Sequence, residues 1–271
     1  MSSLTNEEIE ALDPYSFLAA LGKKVVRPGG HVSTEQLFQL ADIKPTDHVL
    51  EVGCGVGATA IELVQRFGCE VTAVDHSRLM LEKADELTRA AGLLDRIHYQ
   101  EADMCGLPYE DDTFDVVVIE AVTMFCPRMK AIGECNRVLK PGGQLLDQEF
   151  AWLKAPNERA LEILRQPKMC PGIEFDDVRE WKLVYKDVGM TDVEAMSGPF
   201  ALMQPKVFVK DEGWANSMRI LGKALSRPAY LKKSIWLLQN IREIMPSLGY
   251  VVISARKPAP VPRKPKASTT T

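Results

Sequence analysis

The sequence predicts an α/β fold: a doubly wound, mostly parallel seven-stranded sheet with a helical lid or insertion. Three observations predict it. Between residues 46 and 150, short apolar runs alternate with amphipathic stretches, the pattern of strands and helices covering a sheet on both faces. The first run opens into the glycine-rich stretch "EVGCGVGATA" (51–60), which heads a helix. Beyond residue 150 two further strand-like runs appear, separated by an insertion with apolar residues at helical spacing.

In order, the strands are "HVLEV" (48–52), "EVTAVD" (70–75), "IHYQEAD" (97–103), "FDVVVIEA" (114–121), "GQLLDQEF" (143–150), "TDVEAMSG" (191–198) and "YVVISARK" (250–257). The first helix, Ala58 to Phe67, turns Ile61, Leu63 and Val64 toward the sheet. The second, Arg78 to Ala91, presents Leu79, Leu81, Ala84, Leu87 and Ala91, with Ser77 as its N-cap and Gly92 past its end. Pro127 starts a helix to Val138, and "KPGG" (140–143) stops it and turns the chain. "DVREWKLVYKDVGM" (177–190) is helical. The expected organisation is an N-terminal helical cap (1–45), a ligand-binding core (46–198), a helical insertion or lid (199–248), the last core strand (249–257) and a disordered basic tail (258–271).

Composition narrows the function. The chain has 271 residues, 46% hydrophobic and 26% charged, with no run approaching the roughly 20 apolar residues of a membrane helix. The acidic start "MSSLTNEEIEALDPYS" lacks the features of a signal peptide, so a cytoplasmic protein is expected. Six scattered cysteines, with no CxxC pair and no histidine at ligand spacing, read as free thiols and call for no metal. The net charge is -4, and without the five basic residues after 255 the remainder is near -9, a poor match for nucleic acid. Pairing as a homodimer stays open.

Gly53, Gly55 and Gly57 with Ala58 read as GxGxG or as GxGxxA, and either lets backbone N–H groups approach a nucleotide-like ligand. Asp75, twenty residues after Gly55, can accept from ribose hydroxyls. Both features suit a dinucleotide or S-adenosylmethionine. Glu51, two residues before the first glycine, would repel a pyrophosphate and attract a sulfonium or an α-ammonium group. Asp103 can accept from an adenine amino group, while Met104 and Leu107 can pack the ring.

"VLEVGCGVG", "VTAVDHS", "EADMCGLPYEDDTFDVVVIEA" and "RVLKPGGQLL", in this order, resemble the successive motifs of class I S-adenosylmethionine-dependent methyltransferases, nearest to the UbiE-like small-molecule group. The resemblance implies a Rossmann-like methyltransferase fold with S-adenosyl-L-methionine as cofactor. Gly53, Gly55 and Gly57 would wrap its methionine part, with Glu51 nearby. Asp75 would hold the ribose, with His76 and Met80 beside the adenine, and Asp103 and Met104 would bind it. Glu120 would end the fourth strand at the methionine side. The upstream "RPGGHVST", which includes Gly29, Gly30 and Thr34, resembles a loop that covers the cofactor. "EAVT" after the fourth strand is unlike the "NPPY"-type motif of methyltransferases acting on amino groups of DNA and of protein glutamine.

In-line methyl transfer needs position first, and a base only where the acceptor keeps its proton. The candidates are His31, Glu120 and Glu149, with Tyr15, Tyr185 and Cys126 behind them. The expected acceptor is a small, partly apolar metabolite, methylated on carbon, oxygen or nitrogen. A thiol or metalloid acceptor, suggested by Cys126 and Cys170, is the alternative. An NAD-dependent oxidoreductase or a non-catalytic binding module are the other readings.

Overall fold

The computed structural model describes residues 4–169, 173 and 175–259. Cys170 and, after its first two residues, the expected basic tail lie outside them. One sheet contains β1 (His48–Val52), β2 (Glu70–Asp75), β3 (Ile97–Glu101), β4 (Phe114–Glu120), β5 (Leu139–Trp152), β6 (Thr191–Pro199) and β7 (Leu248–Arg256), in the order β3-β2-β1-β4-β5-β7-β6. β1 to β5 are parallel, and β7 is antiparallel to both its neighbours. The strand order reverses between β1 and β4, so the crevice beyond their carboxyl ends is where an open α/β sheet receives ligands.

Three helices precede the sheet: α1 (Asn6–Ala11), α2 (Pro14–Leu21) and α3 (His31–Leu40). Next come α4 (Ala58–Phe67), α5 (Arg78–Ala91), α6 (Arg128–Val138), α7 (Glu158–Leu164) and α8 (Val178–Asp187), and the insertion holds α9 (Pro205–Glu212), α10 (Trp214–Leu225) and α11 (Pro228–Ile244). β4 shows why the layers form. Its run of Val116, Val117, Val118 and Ile119 is buried on both faces, as a central parallel strand must be. Val117 and Ile119 pack in one cluster with Ile132 of α6 and Trp181 of α8; Val116 and Val118 pack in another with Leu37 of α3 and Leu63 of α4. A third cluster roofs the sheet's end, joining Leu18 of α2, Phe150 of β5 and Leu237 and Ile244 of α11.

Several local expectations are corrected. "KPGG" lies inside β5 as a bulge: pairing runs Phe114 to Leu139 and resumes at Val116 to Gln144, with Gly142 at φ 81°. Ser77 holds the N-cap position of α5 but makes no side-chain cap; its N–H donates to Asp75 Oδ1 at 2.8 Å. Leu79 and Ala91 face solvent, and the buried place on that helix goes to Thr88, whose hydroxyl pairs with Tyr99 Oη at 2.8 Å. β3 stops at Glu101, leaving Asp103 in a loop bridged to Gly106. α7 was not expected; Asn157 caps it, Oδ1 accepting from the Ala160 N–H at 2.8 Å.

Candidate active site

The turn after β1 is held by its neighbour: the N–H groups of Gly53 and Cys54 both donate to the Val74 carbonyl, at 2.7 and 3.0 Å. A Cβ on Gly53 would stand 2.3 Å from Val122 Cγ2, so the segment after β4 rests directly on the turn. Gly55, at φ +52°, has no atom of the described residues within 4 Å of where a Cβ would stand, which leaves that face open to a ligand. Cys54 is buried between the two glycines, and burial pushes its thiol up, Glu51 and Asp75 adding to the effect.

Asp75 closes β2 and accepts the N–H of Gly55 at Oδ2 (2.9 Å) and that of Ser77 at Oδ1 (2.8 Å). His76 beside it is exposed, Nδ1 lying 3.6 Å from Asp75. Met80 is half-buried on α5, and Asp103 is exposed, its Oδ1 accepting the Cys105 N–H at 2.8 Å. Met104 turns into the core with Leu107.

Two carboxylates stand on the same face of β1 and β4. Glu51 is buried, and its Oε2 has no partner among the described residues. Burial pushes its carboxyl well above the usual range, Glu120 adding to the effect and Arg27 opposing it. Glu120 is fully engaged. Its Oε2 accepts from Arg27 Nε at 3.1 Å and Thr59 Oγ1 at 2.6 Å, and its Oε1 from Thr34 Oγ1 at 2.8 Å. Arg27 also donates from Nη2 to Thr59 Oγ1 at 2.8 Å. Arg27 and Thr59 were not among the expected site residues; Arg27 stands at the head of the "RPGG" stretch, which was the available signal.

The loop glycines serve packing. A Cβ on Gly29 would strike the Tyr250 ring at 2.5 Å, and one on Gly30 would strike Val207 of α9 at 2.1 Å. His31 donates its N–H to Asp211 Oδ1 at 2.8 Å, and its Nε2 lies 3.5 Å from Glu35. His31, Glu35 and Glu62 lie close enough together to hold an ion. Cations of the chain already serve them: Arg66 takes both oxygens of Glu35 at 2.9 and 2.7 Å, and Arg27 is 3.6 Å from Glu62.

Glu149, expected at the mouth as a base, is instead fully buried. Its Oε1 accepts the N–H groups of Val122 (2.8 Å) and Thr123 (2.6 Å), fastening the turn after β4 where Ala121 is held at φ 57°. On the same face, Asp147 Oδ2 accepts from Tyr185 Oη at 2.5 Å and Thr123 Oγ1 at 2.9 Å. Burial pushes Asp147 up to about 7 and Glu149 well above its usual range. Tyr185 is buried and committed to Asp147, which leaves it no role as a base. The Cys126 thiol is pushed up to about 12 by burial and by neighbouring Cys105, so at neutral pH it carries a proton.

Beside the crevice lies an apolar cavity of about 60 Å³ with no charged side chain among the described residues of its wall; Tyr15, Phe150, Phe200, Leu202, Ile241 and Ile244 are among those lining it. Leu164 and Phe175 border both this cavity and a roomier one of about 420 Å³ that also meets Arg165, Asp176 and Glu180. Tyr15 stands edge-on to Phe125 with ring centroids 4.9 Å apart, and Phe150 stacks on Phe175 at 5.5 Å. The open face at Gly55, the unpartnered Glu51 Oε2 and the Asp75 carboxylate suit a ligand bearing hydroxyls and positive charge, and S-adenosylmethionine fits them.

Comparison with known proteins agrees. A methyltransferase domain family matches residues 49–143. An uncharacterized protein of Haemophilus influenzae is 35% identical over 216 residues, 78% of this chain and 85% of its own. The uncharacterized methyltransferase YodH of Bacillus subtilis is 32% identical over 183 residues, 66% of this chain and 75% of its own. Among solved structures, a phosphoethanolamine N-methyltransferase 2 of Haemonchus contortus, in complex with phosphomonomethylethanolamine and S-adenosylhomocysteine, superposes with a TM-score of 0.69. It has 22% identity, over 94% of this chain and 58% of that one, a likeness of fold.

Proposed function

The chain belongs to the S-adenosylmethionine-dependent methyltransferases, and on that premise we propose that it methylates a small, largely apolar metabolite on carbon, oxygen or nitrogen. The cavity beside Phe150, whose lining among the described residues carries no charged side chain, supports this reading. The "LPYEDDTFD" and "RVLKPGG" motifs support a place near the UbiE-like group.

Bound S-adenosylmethionine supplies a methyl group on a positively charged sulfur, open to in-line displacement. Glu51, Gly53, Gly55 and Gly57 would hold its methionine part, Asp75 its ribose hydroxyls, and His76, Met80, Asp103 and Met104 its adenine. Glu120 is held by Arg27, Thr34 and Thr59, and Glu149 holds the segment 122–123 that rests on Gly53. Both carboxylates therefore act by positioning. His31 is drawn to Glu35 and Asp211, and Tyr15, whose hydroxyl lies 3.8 Å from Met124 Sδ, lines the acceptor cavity. α3 packs on the sheet, so of the expected N-terminal cap α1 and α2 join residues 199–248 in the lid. Catalysis then rests on alignment and exclusion of water.

A thiol or metalloid acceptor is the second reading, favoured by Cys126 lying beside Cys105. Product-detected methyl transfer over a panel of phenols, quinols, amines and thiols tests the assignment. Turnover of apolar phenols or quinols is expected, and turnover confined to thiols or charged phosphates would overturn it.

A further inference from the structure

The outer faces of the helical insertion leave their apolar residues uncovered. On α10, Trp214 (70% exposed), Met218, Leu221 and Leu225 follow one another at i, i+4, i+7 and i+11. On α11, Leu231, Ile235 and Leu238 repeat the spacing. The two helices form one packed hairpin, so a row of this kind on both is far more than the scattered apolar residues normal for a surface.

The same segment has a charge of its own. From Trp214 to Ile244 there are six basic residues, Arg219, Lys223, Arg227, Lys232, Lys233 and Arg242, against a single acid, Glu243, in a chain whose net charge is -4. Lys232 is tied to Glu10 and Arg227 to the Leu4 carbonyl, which leaves Arg219, Lys223 and Arg242 exposed beside the apolar rows. A two-fold pairing of this face with itself would set cation against cation. An anionic surface would attract it.

We propose that the α10–α11 hairpin docks on the surface of an anionic phospholipid bilayer, with Trp214, Leu221 and Leu225 entering the headgroup boundary and Arg219 and Lys223 meeting lipid phosphates. Apolar rows flanked by cations, with an exposed tryptophan, are the make-up of an interfacial helix. The fold adds a connection to the site: Ile241 and Ile244, on the inner side of the same α11, line the apolar cavity. The hairpin thus stands between a lipid surface and an acceptor site that is itself apolar. Docking stands on the surface residues, and the acceptor reading explains its use.

Flotation of the full chain with vesicles of phosphatidylglycerol and phosphatidylcholine, against pure phosphatidylcholine vesicles, tests this. Binding to the anionic vesicles is expected, with a blue shift of tryptophan emission that Trp214→Phe removes. Leu221→Glu with Leu225→Glu, and separately Arg219→Glu with Lys223→Glu, should each lower the bound fraction at least about tenfold. S-adenosylmethionine binding, measured on the same variants, should not change, which separates failure of docking from failure of the cofactor site. No flotation at low salt, or equal flotation of the variants, overturns docking. A dimer in sedimentation that Leu221→Glu abolishes, without flotation, gives the face to a second copy and also overturns it.

Discussion

Arg27 Nε donates to Glu120 Oε2 at 3.1 Å, and the two side chains are 8% and 9% exposed. The pair joins the loop before α3 to the end of β4, across the head of the crevice. Removing one member of such a pair strands the other, at a cost of about 3–5 kcal/mol. Arg27→Met should therefore destabilise by roughly 3 kcal/mol. Glu120→Gln, which keeps an acceptor for Thr34, should cost less. The double variant should be more stable than the sum of the singles implies. Urea unfolding of all four proteins measures the coupling, and simple additivity would show that the pair has no energy of its own.

Asp75 has both oxygens on backbone N–H groups, so it orders the turn as well as offering a charge to ribose hydroxyls. Asp75→Ala removes both, and affinity for S-adenosylmethionine should fall about 10- to 100-fold, the worth of a charge-assisted hydrogen bond. Calorimetric titration checks it; an unchanged Kd means that the ribose is held elsewhere.

The buried carboxyls make stability depend on pH with a definite sign. Asp147 is raised from 3.8 to about 7, and Glu51 and Glu149 shift the same way. Between the unfolded and folded values the folded chain binds more protons than the unfolded chain, so raising the pH through that window weakens the fold. Asp147→Asn keeps acceptors for Tyr185 and Thr123 and removes that group's share. The urea midpoint should drop less in the variant than in the unaltered chain between about pH 5 and about pH 7.5. Identical slopes would mean that Asp147 is not the titrating group.

What could be read from the sequence follows from the range over which each interaction acts. α4 and α5 start and stop at the expected residues because glycines in left-handed conformation end them locally, at Gly68 and Gly92. The bulge at "KPGG" was missed because it is set by pairing with Phe114 and Val116 on another strand. Asp75 and the glycine turn could be found from spacing alone. The roles of Glu120 and Glu149 could not. Both end strands and both look available, but Arg27 comes from 93 residues upstream to occupy one, and the helices over β5 bury the other.

The lid reading rests on one buried pair. Lys23 Nζ meets Glu212 Oε1 at 3.0 Å, both side chains having no solvent exposure, while Glu212 also accepts the Lys24 N–H at 3.1 Å and Asn216 Nδ2 at 2.7 Å. Asn216 reaches on to the Gly22 carbonyl at 3.1 Å, so the loop after α2 and the junction of α9 with α10 are fastened at several points. On the lid reading, this roof lifts to admit the acceptor to the apolar cavity beneath it. Glu212→Ala frees the fastening and leaves Lys23 buried alone, so the roof should open more often. Proteolysis in the segment 199–205 should then quicken about tenfold or more, as expected when a local opening loses over 1.4 kcal/mol. The S-adenosylmethionine Kd should move by less than about twofold, because Glu212 touches none of the groups on the turn after β1. Acceptor KM should rise while that Kd holds. Cleavage at the rate of the unaltered chain would show that the Lys23–Glu212 pair does not govern the lid.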